Sequence, residues 1–285
     1  MGVGTTARNP VNDLAVEVER RKPWYHTFEL PGGVVTTGFY DLRTVASKVP
    51  VPTSLAGSRC LDAAACEGFW SFLLAERGAD QVVSVDLPDT TNQDWQGMPS
   101  EEKRQAGAGV ANEHFGFVRE TLGVENVERV DMNLYDVNPQ DLGTFDYVFV
   151  GNILIHLADP ARALRALSSV MRPGAELLSL EANSLLLSCL SPRLPVGQLW
   201  DQDEGPRWWT PNRAAHRRLL TAAGFDVLEQ GSMLFQPFGE GTPRRPRRLP
   251  RRPREALYWG VVRRVGVPSG WIRARPGAEP PASPT

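Results

Sequence analysis

Two carboxylates stand at the ends of two apolar runs: Asp62 in Arg59-Cys-Leu-Asp-Ala-Ala-Ala-Cys-Glu-Gly-Phe-Trp70, and Asp86 in Gln81-Val-Val-Ser-Val-Asp-Leu87. Between them a run of small residues turns the chain to Gly68, and a helix is expected to about Arg77. Small side chains let the backbone approach a ligand, the helix start offers free N–H groups, and a carboxylate at the next strand end can accept both hydroxyls of a ribose. This chemistry is nucleoside binding. The dinucleotide pattern Gly-x-Gly-x-x-Gly is not met, because its positions read Ala64, Cys66 and Gly68. A pyrophosphate needs more bare backbone than that turn offers.

Strands and helices must alternate to hold such a turn. Phe145-Asp-Tyr-Val-Phe-Val-Gly-Asn-Ile-Leu-Ile-His156 reads as a fully apolar strand running into a short helical turn. Met171 to Glu181 reads as a turn and an apolar strand, and Leu219 to Glu229 as a helix, a glycine stop and a further strand. Alternation from Cys60 to Phe235 implies a mostly parallel sheet with helices on both faces. Ligands then belong at the carboxyl edge of the strands, where Ala64, Asp86, Tyr135, Gly151 and His156 converge.

The spacing acid-x-small-x-x-x-Gly from Asp62 to Gly68 resembles the first motif of class I S-adenosylmethionine-dependent methyltransferases, with Ala64 where that family usually has its middle glycine. Phe145 to Pro160 resembles the family's fourth-strand motif. Trp24-Tyr-His-Thr-Phe-Glu-Leu-Pro-Gly-Gly33, Thr37-Gly-Phe-Tyr-Asp-Leu-Arg43 and Arg207-Trp-Trp-Thr-Pro-Asn212 resemble the subgroup related to the tRNA wobble-uridine carboxymethyltransferase, and the similarity runs from about residue 22 to Pro276. The resemblance implies a Rossmann-like, doubly wound, mostly parallel seven-stranded α/β sheet with an N-terminal lid, and S-adenosylmethionine as cofactor. It implies cofactor contacts from Asp62, Ala64, Gly68, Phe69, Asp86, Leu87, Gly151 and Asn152, with adenine contacts from Leu134 and Tyr135 or, instead, from Asp131 or Asp136. The tRNA enzyme's carboxylated cofactor needs extra cationic and phenolic groups. Here Ile155 stands where that enzyme has a tyrosine, and Ser269 falls about where an arginine is expected. Ordinary S-adenosylmethionine is therefore the cofactor implied.

Methyl transfer from a sulfonium requires no metal and no covalent enzyme intermediate. The protein must align the acceptor, exclude water and, for a weak nucleophile, remove a proton. His156 is the titratable residue nearest the expected methyl group and the first candidate base, its alternative being a structural hydrogen bond or a helix cap. His26 is the second, with a satisfied structural histidine as its alternative. Trp24, Phe39, Tyr40, Trp208 and Trp209 are candidate walls for the acceptor, or else interior packing, with one inward and one outward ring expected of the Trp208–Trp209 pair. Glu181 and Asn183, after the fifth strand, either orient a polar acceptor or end the strand.

A chain of 285 residues with 41% apolar residues can bury one large core, and a net charge of −2 gives no global attraction to nucleic acid or an anionic membrane. No apolar stretch approaches the roughly 20 residues of a bilayer span, and three scattered cysteines suggest neither a disulfide framework nor zinc. A cytoplasmic enzyme, monomeric or homodimeric, is expected. Its parts are a flexible terminus over 1–20 with a charged helix near 12–22, a lid over 21–56, the catalytic domain over 57–276, and a disordered tail over 277–285. The interval 88–105 reads as a long loop beside the site. The arginine and proline-rich insert 242–256, centred on Arg244 to Arg254, is either a solvated loop or a phosphate contact. The expected acceptor is a small molecule methylated on oxygen, with tRNA as the alternative and a catalytically silent binding protein as a third reading.

Overall fold

The computed structural model describes residues 10–89, 93–94, 110–200, 207–243 and 260–278. The arginine-rich run 244–254, most of the 88–105 interval and residues 279–285 lie outside them.

Before the core come helix α1 (Pro10–Arg20), strands β1 (Trp24–His26), β2 (Glu29–Leu30), β3 (Val34–Val35) and β4 (Gly38–Tyr40), and the short helix α2 (Arg43–Ala46). The core alternates β5 (Arg59–Ala63), α3 (Phe69–Glu76), β6 (Gln81–Asp86), α4 (Val110–Leu122), β7 (Val127–Asp131), α5 (Pro139–Leu142), β8 (Phe145–Gly151), α6 (Pro160–Ser169) and β9 (Met171–Ala182). Helix α7 (Leu185–Leu190) and the hairpin of β10 (Gly197–Leu199) and β11 (Trp209–Pro211) follow. Helix α8 (Arg213–Ala222) and strands β12 (Phe225–Gln230), β13 (Leu234–Gln236) and β14 (Val267–Pro276) complete the fold.

The central sheet runs in the order β12-β14-β9-β8-β5-β6-β7, with β13 paired to one end of β14. The seven-stranded, mostly parallel sheet expected from the sequence is present, widened by β13. Strands β5 to β9 are mutually parallel where they pair, and β14 is antiparallel to both of its neighbours. Alternation along the strands sends Leu61, Val83 and Val148 to one core and Cys60, Val82 and Phe149 to the other, so both faces are covered. Leu164, Leu167 and Leu220 from α6 and α8 fill the first core, and Trp70, Leu74 and Val118 from α3 and α4 fill the second. The chain order reverses at β5, which lies between β6 and β8, and this opens the crevice where sheets of this kind hold ligands.

The charged helix expected near 12–22 is present as Pro10–Arg20, and it is joined to the core, because Val18 is buried there and its carbonyl accepts from the Trp24 indole at 2.9 Å. The segment from Trp24 to Tyr40, expected as part of a lid, is tied to the rest of the fold along both edges. Strand β4 pairs with β1 on one edge, and on the other Phe39 accepts from the Gly239 N–H at 2.8 Å. A Cβ on Gly38 would meet the backbone of His26 and Thr27 within 2.5 Å, so three chain segments can close only around glycine there.

Candidate active site

The turn after β5 is built on left-handed backbone. Ala64 (φ 65°), Cys66 (φ 52°) and Gly68 (φ 87°) all lie at positive φ. At Gly68 a side chain is excluded twice, by φ and by the rings of Phe115 and Phe72, within 2.8 Å of where a Cβ would sit. Ala64 and Cys66 hold the same conformation with a Cβ, at a cost of about 1–2 kcal/mol each. The turn is held by bonds to the next strand. The Val85 carbonyl accepts from Ala64 N–H at 2.8 Å, and the Asp86 carboxylate accepts from Cys66 N–H at 2.5 Å and Leu87 N–H at 2.7 Å. Burial raises the Asp86 carboxyl, while the Arg129 charge and the two N–H groups oppose the rise.

Asp62 behaves differently from Asp86. Its carboxylate is buried and takes the Ser71 hydroxyl at 2.5 Å, which in turn takes the Ser84 hydroxyl at 2.7 Å. Burial pushes Asp62 up to about 7. The group ties β5 to α3 from beneath the turn.

Two residues outside the sequence-derived set complete this end. Arg129, on β7, donates to the carbonyls of Cys66 at 2.8 Å and Leu87 at 2.9 Å, spanning the turns after β5 and β6. Glu67 is 2% exposed and accepts from the backbone N–H of Tyr25 at 2.9 Å and of His26 at 2.8 Å. It also meets His114 Nδ1 at 2.6 Å. A carboxylate inside an otherwise apolar turn was the available signal for Glu67, but its partners lie more than forty residues away.

Across the crevice, β8 ends at Gly151, where a Cβ would come within 2.7 Å of the Phe149 ring. Asn152 (φ 54°) exchanges two amide bonds with Gln236, which also donates to Ser269 at 2.7 Å. His156 closes the 3₁₀ turn that starts at Leu154. That turn hangs from three supports. Glu181 accepts from Ile153 and Leu154 N–H, both at 3.1 Å. The Ile155 carbonyl accepts from Trp208 N–H at 2.9 Å, and the Leu154 carbonyl from the Trp209 indole at 3.1 Å. Burial pushes Glu181 up to about 8 against those backbone N–H groups. Asn183 is buried, its amide on the Ala182 carbonyl at 3.1 Å.

The chain matches the methyltransferase domain family over residues 39–230. It belongs to that family. Among solved structures it is similar to the N-terminal domain of EvdMO1, crystallised with SAH and D-fucose (16% identity, TM-score 0.54, 96% of this chain and 100% of that one). The same domain with SAH alone gives 16% identity and a TM-score of 0.53 over 96% and 99% of the two chains. A chain of the Haloferax volcanii complex between the Trm112 methyltransferase activator and a methyltransferase is 13% identical, with a TM-score of 0.51 over 96% and 99%. The sequence matches no curated protein. This methyltransferase takes S-adenosylmethionine as its methyl donor, and the compact turn at Gly68 facing Asp86 suits a nucleoside without phosphates.

The remaining sequence-derived residues divide by place. Phe39 and Tyr40 form a cluster of aromatic rings with Tyr25 and Phe238. Phe69, at the start of α3, packs near His26 and Phe28. Leu134 is buried in the first core, while the Tyr135 hydroxyl donates to Asp94 and accepts from Asp159 N–H at 3.0 Å. Asp131 pairs with Arg129 and Asp136 faces Arg162 at 3.9 Å. Trp24 is 2% exposed, stacked on His114 at 4.1 Å, so it packs the core rather than walling the acceptor. His26 is buried among Tyr25, Phe28 and Phe69, and burial pushes it down to about 4. Trp208 and Trp209 are both half-buried, not one in and one out, because each indole has its own carbonyl, Asp94 at 2.6 Å and Leu154 at 3.1 Å.

Proposed function

We propose that this methyltransferase transfers the methyl group of S-adenosylmethionine to an oxygen of a small molecule, a secondary metabolite or glycosylated intermediate, in the cytoplasm. The observation that carries the reading is the pair of walls over the carboxyl edge. The β1–β4 wall is bound to the cofactor turn through Glu67, and the β10–β11 hairpin is bound to the His156 turn through Trp208 and Trp209. Walls that carry aromatic rings suit a planar or sugar-sized acceptor beside a sulfonium. The N-terminal domain of EvdMO1, of the same fold, was crystallised in the presence of SAH and D-fucose, in keeping with that size. In this reading Asp86 accepts the ribose hydroxyls, the turn from Ala64 to Gly68 and the Gly151–Asn152 backbone flank the methionine end, Tyr135 lies beside the adenine, and His156 takes the acceptor's proton.

The arginine-rich run from Arg244 to Arg254 is what favours tRNA instead. Label from methyl-tritiated S-adenosylmethionine, offered to hydroxylated small molecules and to total tRNA, separates the two. Small-molecule labelling that survives deletion of residues 243–254 supports the proposal, whereas salt-sensitive labelling of tRNA that the deletion abolishes overturns it.

A further inference from the structure

Strand β10 is paired on one side only. Its partner β11 is covered beyond, where the Pro211 carbonyl accepts from Ser184 N–H at 2.8 Å. The register sets Gly197 against Pro211, Gln198 against Thr210 and Leu199 against Trp209. Asn212 N–H donates to the Val196 carbonyl at 2.9 Å and Trp200 N–H to the Trp208 carbonyl at 3.1 Å, which fixes the alternation along the hairpin. The backbone of Gln198 therefore bonds to β11, and Gly197 and Leu199 turn their N–H and C=O groups to the open edge. Among the described residues those outward groups have no partner.

The same unit is apolar on its outside. Asn212, fully buried, draws it together by donating to the carbonyls of Ser191 at 2.7 Å and Leu194 at 2.8 Å. Around that clamp Leu186, Leu190, Leu194 and Leu199 are 63% to 81% exposed. An unprotected strand edge beside a patch of leucines marks an interaction surface.

We propose that β10 and these leucines form the contact between two copies of this chain, the two β10 strands pairing antiparallel about a two-fold axis at Gln198. The edge is self-complementary in that arrangement. Gly197 of each copy exchanges both backbone bonds with Leu199 of the other, and the two hairpins become one four-stranded sheet. Each Leu199 side chain then comes down beside the Gly197 of the second copy, where the Trp209 ring lies 3.2 Å from the place a Cβ would take. The sequence charges agree with this direction of pairing. Arg193 precedes β10, and Asp201, Asp203 and Glu204 follow it, so antiparallel copies bring unlike signs together. A lipid surface would cover the leucines and leave the polar groups of the strand edge unpaired. The indole beside the contact is the one that holds the Leu154 carbonyl of the His156 turn, so the two crevices share one sheet.

The test follows the full chain by sedimentation equilibrium from about 1 to 100 μM. A reversible dimer is expected. Leu199→Asp should raise its dissociation constant at least about tenfold, while Val16→Asp, at an equally exposed apolar residue of α1, leaves it unchanged. The two-fold axis sets Gln198 opposite itself with Cα atoms about 4.5 Å apart, within reach of a disulfide. Gln198→Cys in a Cys189→Ser background, which removes the exposed native thiol, should therefore cross-link into a covalent dimer under copper–phenanthroline. That variant keeps every leucine and decides the matter if Leu199→Asp fails to fold. A monomer at every concentration overturns the proposal, and flotation of that monomer with anionic vesicles would assign the leucines to a lipid surface instead. A dimer that Leu199→Asp leaves intact, or that Gln198→Cys does not cross-link, is built on another face and overturns it too.

Discussion

The Asp86 carboxylate accepts the backbone N–H of Cys66 at 2.5 Å, so the residue assigned to the ribose also shapes the turn that faces it. Asp86→Ala should therefore weaken SAH binding by about 2 kcal/mol or more and lower thermal stability as well, since the N–H groups of Cys66 and Leu87 lose their acceptor. Calorimetry and a melting curve on the same sample check both. Unchanged SAH affinity would remove the ribose assignment.

Glu67→Gln should destabilise the protein by roughly 1–3 kcal/mol, because an amide NH₂ would then face a backbone N–H in a buried site. Urea unfolding measures this. A loss below about 0.5 kcal/mol would mean that the β1–β4 wall is held by its other contacts.

Ala64→Gly and Cys66→Gly should each stabilise the fold by about 0.5 kcal/mol. Relief of the left-handed conformation is worth about 1–2 kcal/mol, partly offset by the added freedom of the unfolded chain. Destabilisation of both variants would show that the methyl and thiol pack better than their φ values cost.

Stability should depend on pH through Glu181. Its carboxyl is pushed up from 4.5 to about 8, so the native state keeps a proton that the unfolded chain releases between those values. Stability from this group is present at low pH and is lost as pH rises through that window, in the same direction as Asp62 near 7. His26, pushed down to about 4, and His216, to about 3, act oppositely and remove stability as pH falls below 6.5. Melting curves of Glu181→Gln and wild type from pH 4 to 10 should diverge between about 4.5 and 8, wild type falling faster, and run parallel outside that window. Curves parallel throughout would refute the assignment.

His156→Ala should lower turnover on an oxygen acceptor by about 10²-fold or more with little change in SAH affinity. Full turnover between pH 6 and 8 removes His156 as the base and leaves it a structural member of its turn.

Much of the fold was readable because strands buried on both faces of a parallel sheet are continuous apolar runs, as in β6 and β8. The tight turn between β5 and α3 was readable because small residues, a glycine and a strand-end acid sit within one short stretch. What binds those parts together was not. Glu67 meets His26, Arg129 meets Cys66, and Asp94 meets Tyr135 across 41, 63 and 41 positions of sequence. Isolated charged residues do not announce such partners. Trp24 read as a wall because an aromatic ring has the same sequence signature whether it faces a ligand or a core.

The turn bearing His156 takes its backbone bonds from Glu181 on one side and from Trp208 and Trp209 on the other. A lengthened or shortened hairpin would thus re-aim the histidine as well as shift a wall of the crevice. Under the proposed roles, acceptor choice and proton removal are therefore inherited together, and grafting the hairpin of a relative onto this chain would exchange both at once.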